Sequence, residues 1–473
     1  MMAMKKQPLW TSVEAPGTSS ADWQASGVSI DTRTLEKGDL FVALHGPNFD
    51  GHEFATDAEA RGAAAIMVDR DVPGLSIPVL RVDDTMAGLE DLARAARQRS
   101  NARIIAITGS VGKTGTKEAL NYVLSAQAPT AASIGNLNNQ WGLPLSLARM
   151  PKASLFGVFE MGMNHPGEIN PLSRLARPHV VIITTVEDVH SAHFQNVEEI
   201  ADAKAEIFAG MEPDGIAVLN MDNPHFHRLA AAAKAKGVSR ILSFGSNEEA
   251  DFRLLEETPD YGGMRVEAQC MDNRINFRLG VPGHHWAVNS LGVLASVAAV
   301  GGSVGEATVS MAGFHAPKGR GDTHVVPVKG GQITVIDESY NASPVSMCAV
   351  FRVLGQLQPG QGGRRIAALG DMLELGDDSA ERHAALADAL EENDIDLVFT
   401  AGSHMASLDG ALSESMRGGH ADNSTDAIQM LTDTVQAGDI VLVKGSAGSR
   451  MGLVVDALLN LADGSSKQAG GGR

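Results

Sequence analysis

Residues 104–118 read Ile-Ile-Ala-Ile-Thr-Gly-Ser-Val-Gly-Lys-Thr-Gly-Thr-Lys-Glu. An apolar strand runs into Gly109-Ser110-Val111-Gly112-Lys113-Thr114, and a helix is expected to open at Lys113. Glycines let the backbone turn so that successive N–H groups face phosphate oxygens, and the helix N-terminus adds the positive end of its dipole. Lys113 is placed to reach the β/γ-phosphates and the Thr114 hydroxyl to ligate Mg²⁺. Ile107 stands where the strict form of this loop has its first glycine. The strand–loop–helix order sets the run apart from an ordinary glycine turn, and it predicts a nucleotide site on a parallel sheet.

Outward from this loop the chain falls into three blocks. Residues 1–100 carry short apolar runs at Leu40–Leu44, Ala63–Asp69 and Val79–Val82 that read as buried strands. A helix follows, with Met86, Leu89, Leu92, Ala93 and Ala96 at helical spacing and Asp84 or Thr85 as its cap. Residues 101–318 alternate strands such as Phe156–Glu160 and Val180–Thr184 with helices, broken at 251–281 by a small antiparallel excursion with a Gly262-Gly263 turn. Residues 319–463 repeat the βα unit: strands 333–337, 365–369, 396–400 and 440–444, helices 344–357, 379–392, 424–436 and 449–461. Ser343-Pro344 is a cap followed by proline in the first turn. Such units build an open, doubly wound sheet whose ligands sit at the carboxyl ends of the strands. The tail 464–473 is small and polar, and is expected to be disordered.

Composition narrows the class. The 473 residues include 38 Lys and Arg against 57 Asp and Glu, a net charge of −19, so the chain repels nucleic acid and anionic lipid. Anionic ligands must then be held by backbone amides, a metal or a few placed cations. Only Cys270 and Cys348 occur, without metal-ligand spacing, which fits a reducing cytoplasm. The N-terminus has no apolar signal core. The stretch Trp286–Gly305 is uncharged but broken by Asn289, serines and glycines, so it reads as a buried soluble helix. A soluble, monomeric, cytoplasmic protein with no membrane insertion is expected.

A phosphate loop alone does not name a reaction. Neither a guanine-reading N-K-x-D nor a transporter-type L-S-G-G-Q is present. Downstream, in order, come G-N-L-N-N-Q-W-G-L-P (135–144), F-E-M-G (159–162), H-S-A-H-F (190–194) and A-D-A-K-A-E-I (201–207). G-H-H-W-A-V-N-S (283–290), K-G-R-G (318–321) and D-E-S-Y-N-A-S-P (337–344) follow. This ordered set resembles the Mur ligase family, the ATP-dependent amide ligases of cell-wall precursor synthesis, over nearly the whole chain. D-E-S-Y-N-A-S-P, together with L-G-D-M-L-E-L-G (369–376), is most similar to the member that adds D-alanyl-D-alanine to a UDP-N-acetylmuramoyl-tripeptide. D-T-R-T-L-E-K-G-D-L-F-V-A-L-H-G-P-N-F-D-G-H-E-F (31–54) is similar to that family's UDP-sugar domain. Gly115 and Trp286 depart from the pattern without removing a phosphate or metal ligand.

The resemblance implies an α/β protein of three domains: an N-terminal UDP-sugar-binding domain, a central P-loop ATPase domain with a parallel sheet, and a C-terminal Rossmann-like domain. It implies ATP and two Mg²⁺ as cofactors, the two substrates just named, and a site spread over all three blocks. Gly109, Ser110, Val111, Gly112, Lys113, Thr114 and Gly115 cradle phosphate; Asn289, Arg320, Asp337 and Asn341 meet the nucleotide. Thr114, Glu160, His193 and Lys204 belong to the metal set, and Lys113, Glu160, His193 and Lys204 to catalysis. A lysine ammonium beside Mg²⁺ is repelled by ~3 kcal/mol per unit charge at ~5 Å and an effective dielectric near 20. The resemblance resolves this by carboxylation of Lys204, and the competing reading pairs Lys204 with Asp202 or Glu206 on a helix surface. Ser29, Asp31, Arg33, Asn136, Asn139 and Lys444 are assigned to substrate. Lys444 is either a ligand for the dipeptide carboxylate or a surface lysine. Two other functions stay open. One is a sibling ligase adding a single amino acid, against which the only D-N-P (222–224) lies in the central block. The other is a nucleotide switch without ligation.

Overall fold

The computed structural model describes residues 8–463 apart from Pro47, residues 189–193 and Tyr261. The chain divides into two compact units, each assembled from distant segments. One comprises the chain up to Val186 with Glu198–Arg253 and Leu291–Ser310; the other comprises Leu254–Ser290, the chain from Met311 onward and the short segment Glu187–Val197.

The first unit holds two sheets. In the first sheet Gly27–Ser29, Asp39–Val42, Ala65–Val68 and Val79–Arg81 run parallel, and Thr18–Ser19 closes the edge antiparallel. Asp84 caps the helix Thr85–Gln98, its Oδ1 accepting Ala87 N–H at 2.7 Å. The buried stripe of that helix, Leu89, Leu92 and Ala96, packs in one core with Trp10, Leu40, Leu80, and Leu145 and Ala148 of the helix Gly142–Ala148. Polar clasps follow the same seam. Trp10 Nε1 donates to Ala148 O at 2.8 Å, Arg149 Nε to Val28 O at 2.6 Å, and the buried Arg97 Nε to Ala176 O at 2.9 Å.

The second sheet of this unit carries the phosphate loop. Six of its nine described strands lie in the order Thr130–Ala132, Phe156–Glu160, Arg103–Thr108, Val180–Ile183, Ile216–Asn220 and Arg240–Gly245, these six all parallel. Strands covered on both faces need no alternation, and Ile104–Ile107 and Val180–Ile183 are buried at every position. Strand Arg103–Thr108 sits between Phe156–Glu160 and Val180–Ile183, so residues that follow those two strands flank the loop.

In the second unit the strand order is Asp322–Val328, Gly331–Glu338, Ile440–Lys444, Arg365–Gly370, Leu397–Ala401 and Arg417–Ala421. All pairs are parallel except the antiparallel edge strand Asp322–Val328. That edge strand and Arg417–Ala421 escaped the sequence reading: the first alternates weakly, and the second, Arg-Gly-Gly-His-Ala, has almost no apolar residue. Ser343 caps helix Pro344–Gln356 in a reciprocal box with Ser346. The expected helix 379–392 is two, Ser379–Ala384 and Leu386–Glu392, and the last helix begins at Gly452 rather than 449. Apolar layers on both faces of the sheet hold it, one around Phe351, Leu354 and Leu390, the other around Phe399, Val455 and Leu458. The antiparallel excursion is a hairpin, Gly263–Cys270 with Asn273–Leu279. The uncharged stretch forms part of the helix His284–Ala299 and the start of Val304–Met311, and among the described residues no helix is long and apolar enough to cross a membrane.

Candidate active site

Strand Arg103–Thr108 ends at Gly109 and the helix Lys113–Ser125 opens one loop later. Gly109 and Gly112 have φ of +149° and +85°, conformations in which a side chain is strained. A Cβ on Gly109 would also collide with the Thr184 hydroxyl, which donates to Val111 O at 2.6 Å. Ser110 N–H is tied to Thr185 O at 2.8 Å, so the end of strand Val180–Ile183 buttresses the loop from one side. Gly112 offers no side-chain cap to the helix, whose N-terminus turns the positive end of its dipole to the loop. Lys113 folds back over the loop, its Nζ donating to Gly109 O at 2.7 Å and Ser110 O at 3.3 Å. Phosphate oxygens can take over both bonds.

On the other side of the loop stands Glu160, the last residue of its strand and 2% exposed. Its Oε2 accepts the Thr114 hydroxyl at 2.8 Å and its Oε1 accepts Asn138 Nδ2 at 2.8 Å. Its own N–H donates to Ser133 Oγ at 3.1 Å. Only neutral donors reach this buried carboxylate; among the described residues no Lys or Arg pairs with it. A buried carboxylate held this way favours a cation, and a carboxylate with a hydroxyl oxygen is the hard donor set that Mg²⁺ takes. Asn138 was missed in the sequence, where Asn136 and Asn139 were chosen from the same run. Asn136 is exposed, and Asn139 Oδ1 instead accepts Gly142 N–H at 3.0 Å, starting the helix Gly142–Ala148.

Lys204 lies in the last turn of the helix Val197–Ala205 and is 2% exposed. Burial, and then the nearby Lys113 charge, push its pKa well below the ordinary lysine value. The two carboxylates that could have paired with it are engaged elsewhere. Asp202 receives both arms of Arg228 at 2.6 Å, and Glu206 accepts the N–H groups of Gly167 and, at 3.1 Å, of Asn170. Lys204 has no carboxylate partner among the described residues, and the surface-pair reading does not hold. His193, expected in the metal set, lies outside the described residues.

Ser29, Asp31 and Arg33 follow the strand Gly27–Ser29 at its carboxyl end. Ser29 Oγ donates to Asp31 O at 3.0 Å, and Asp31 receives Arg33 N–H at 2.9 Å and its guanidinium at 2.7 Å. The Arg33 side-chain hydrogen bond, working against burial, lowers the Asp31 pKa and leaves a well-exposed guanidinium at the strand end.

In the second unit Asp337, fully buried, accepts Gly319 N–H at 3.0 Å, Ser339 N–H at 3.1 Å and the Ser339 hydroxyl at 2.6 Å. It joins the K-G-R-G turn to the D-E-S-Y-N-A-S-P turn. The Arg320 guanidinium lies 4.0 Å over the Tyr340 ring. Asn341 is exposed, with its Oδ1 on Ala342 N–H, and Asn289 is half-buried on the helix His284–Ala299. Lys444 is no surface lysine. It is 2% exposed, donates to Asn341 O at 2.8 Å and lies 3.5 Å from Glu338 Oε2. Burial lowers its pKa and Glu338 offsets part of that; burial raises the pKa of Glu338. Burial, with Lys444 next, takes the neighbouring His285 down to about 4.

A parallel-sheet P-loop with a buried Mg²⁺-type carboxylate beside it defines a nucleotide-dependent phosphoryl-transfer site. Three family models match in succession: "Mur ligase family, catalytic domain" over residues 24–97, "Mur ligase middle domain" over 107–297 and "Mur ligase, glutamate ligase domain" over 323–447. The chain belongs to the Mur ligase family, and the residue pattern that suggested it covers the same three segments. It is 34% identical to the UDP-N-acetylmuramoyl-tripeptide–D-alanyl-D-alanine ligase of Bacillus subtilis, covering 92% of this chain and 93% of that one. The enzyme of the same name from Escherichia coli is 33% identical, over 93% and 94% of the two chains. Among solved structures, MurF from Acinetobacter baumannii superposes with a TM-score of 0.82 at 28% identity, covering 96% of this chain and 100% of that one. MurF ligase from Thermotoga maritima in complex with ADP does so at 0.77 and 27%, over 93% and 98%.

Proposed function

We propose that this chain is an ATP-dependent ligase that joins D-alanyl-D-alanine to UDP-N-acetylmuramoyl-tripeptide, a step of peptidoglycan precursor synthesis. Relatives of that one name align over nine-tenths of its length, and the P-loop beside buried Glu160 supplies the phosphoryl-transfer chemistry. The γ-phosphoryl group of ATP passes to the tripeptide's terminal carboxylate, releasing ADP and leaving an acyl phosphate. The D-alanyl-D-alanine amine attacks the acyl carbon, loses its proton, and phosphate departs as the amide forms. Lys113 exchanges its carbonyl partners for phosphate oxygens, and the backbone amides at the helix start share the charge.

Finer assignments belong to the same proposal. Thr114, Glu160, His193 and a carboxylated Lys204 would hold Mg²⁺, whose contribution is to neutralise phosphate charge. Carboxylation needs a neutral amine, which a buried lysine without a carboxylate partner provides. Ser29, Asp31, Arg33, Asn136 and Asn139 are assigned to the UDP-linked substrate, and Asn289, Arg320, Asp337 and Asn341 to the nucleotide. Lys444 faces its own glutamate, so we assign it to the geometry of the acceptor-side turn as well as to the dipeptide carboxylate. Domain boundaries near residues 100 and 318, a second Mg²⁺, a cytoplasmic location and a monomeric state complete the reading.

Phosphate release with UDP-N-acetylmuramoyl-tripeptide and a panel of acceptors tests it. A site that hydrogen-bonds the amide and carboxylate of a dipeptide leaves polar groups unpaired when a single amino acid binds, a discrimination on the order of 10⁴-fold. D-alanyl-D-alanine should support turnover while D-alanine, L-lysine, diaminopimelate and glutamate do not. Comparable kcat/KM for any of these would assign a sibling ligase, and hydrolysis indifferent to every acceptor would assign a nucleotide switch.

A further inference from the structure

Far along the chain from the phosphate loop, the first sheet brings together two histidines and two aspartates. His45–Gly46 and Phe49–Asp50 form a small antiparallel hairpin just beyond the strand Asp39–Val42. The next strand in the sheet, Ala65–Val68, ends one residue before Asp69, so the parallel register delivers that carboxylate to the hairpin. His45 Nε2 lies 3.0 Å from Asp69 Oδ2, and His52 Nε2 lies 3.3 Å from Asp69 Oδ1. One ligand atom from each of the three residues falls within 4.8 Å of the others.

We propose that His45, His52 and Asp69 form a binding site for a divalent transition cation of the zinc type. With bonds of about 2.0–2.1 Å, the ligand atoms of a tetrahedral zinc shell lie roughly 3.3 Å apart; here each histidine Nε2 lies nearest a different Asp69 oxygen, and one ligand atom from each residue falls within 4.8 Å of the others. The outer shell is in place as well. Asp50 Oδ1 lies 2.8 Å from His52 Nδ1 and accepts His52 N–H at 3.0 Å, which holds Nδ1 protonated and leaves Nε2 directed at Asp69. Arg70 pairs with Asp50, so its guanidinium braces the outer carboxylate.

His52 is buried, whereas the His45 side chain is 44% exposed, which gives the ion a way in and leaves the fourth position to water. Two imidazoles with one carboxylate favour Zn²⁺ and its neighbours over Mg²⁺, which prefers oxygen donors. A cation must displace the His45 Nε2–Asp69 Oδ2 hydrogen bond at 3.0 Å and the 3.3 Å contact from Asp69 N–H to His52 Nε2. Its role would be to fasten the hairpin to the strand end at Asp69, at the same carboxyl end of the sheet as Ser29 and Asp31.

The test is a calorimetric titration of Zn²⁺ into the chelator-stripped full chain in saturating Mg²⁺, which occupies oxygen-rich sites. One equivalent should bind, and Co²⁺ in its place should give the strong visible absorption of a tetrahedral rather than an octahedral ion. His45→Ala, at an exposed position that leaves the fold intact, should remove that equivalent. Asp50→Asn should weaken it about 10–100-fold through the outer shell. The absence of saturable Zn²⁺ binding, or an equivalent that persists unchanged in His45→Ala, would overturn the site.

Discussion

Two lysines in different units of this molecule are buried to the same extent, each 2% exposed, and their surroundings differ in one respect. Lys444 has Glu338 beside it and the Asn341 carbonyl as an acceptor. Among the described residues Lys204 has no carboxylate partner, and its neighbour Lys113 carries the same sign. An unpaired buried charge costs several kcal/mol, so a protein removes it by shifting the pKa or by changing the group chemically. Lys444 thus has a carboxylate partner at a turn, and on the proposed function Lys204 is the amine that CO₂ carboxylates.

The largest expected effect tests the reactive member. Lys204→Ala should lower turnover by about 1,000-fold, near the upper end for loss of one charge-stabilising group, and added short carboxylates should restore part of it. Labelling with ¹³C-CO₂ that finds only a bare ammonium in active enzyme would break the distinction between the two lysines. Lys113→Ala should cost at least ~100-fold in kcat. It also removes the smaller of the two causes that keep Lys204 neutral; burial, the larger, remains, so CO₂ incorporation there should be reduced but not lost. Near-normal turnover in a folded Lys113→Ala protein would remove the phosphate-loop assignment.

Asn138→Ala should be milder. It takes one hydrogen bond from Glu160 without removing a ligand, so the Mg²⁺ concentration for half-maximal rate should rise by about 10–100-fold. An unchanged Mg²⁺ dependence would make Asn138 a purely structural residue.

The smallest effect on the phosphate-loop chemistry is expected at the paired lysine, where stability is the informative readout. Lys444→Met leaves Glu338 buried without its cation, a loss of about 3 kcal/mol by denaturant unfolding. Burial already raises the Glu338 pKa, and removing Lys444 raises it further. A carboxyl with a raised folded-state pKa is favoured in its protonated form, so the deficit should be largest above the folded pKa. It should shrink as the pH falls through the folded pKa and be smallest below the ordinary value of 4.5, where Glu338 is protonated in both states. A deficit independent of pH would show that packing, not charge, makes Lys444 matter.

Much of the site was legible because phosphate binding is local. Gly109, Gly112, Lys113 and Thr114 lie within six residues, and the strand before them and the helix after them follow from apolar spacing alone. Glu160 was legible for a related reason, since a strand-end acid next to the loop strand requires only the parallel order. Asn138 was not, because three asparagines within four residues differ only in where a non-repetitive loop points them. Thr184 was missed because a threonine at a strand end has no distinctive signature until its neighbour is known to be the loop. The strand Arg417–Ala421 was missed because its pairing with Leu397–Ala401, and not its composition, makes it a strand.

The amino-acid sequence by itself determined the features carried by backbone conformation and short-range periodicity: the glycine loop, the cap at Ser343, the parallel strands and the family to which they belong. Tertiary structure alone decided which charged groups meet. Asp202 and Glu206 lie two residues either side of Lys204, yet Arg228 and the Gly167 and Asn170 amides claim them. Glu338 is 106 residues from Lys444 and becomes its partner because adjacent strands place their ends side by side. Charge pairing is a property of distance in space, and burial sets its strength. Neither quantity is written in the order of residues along the chain.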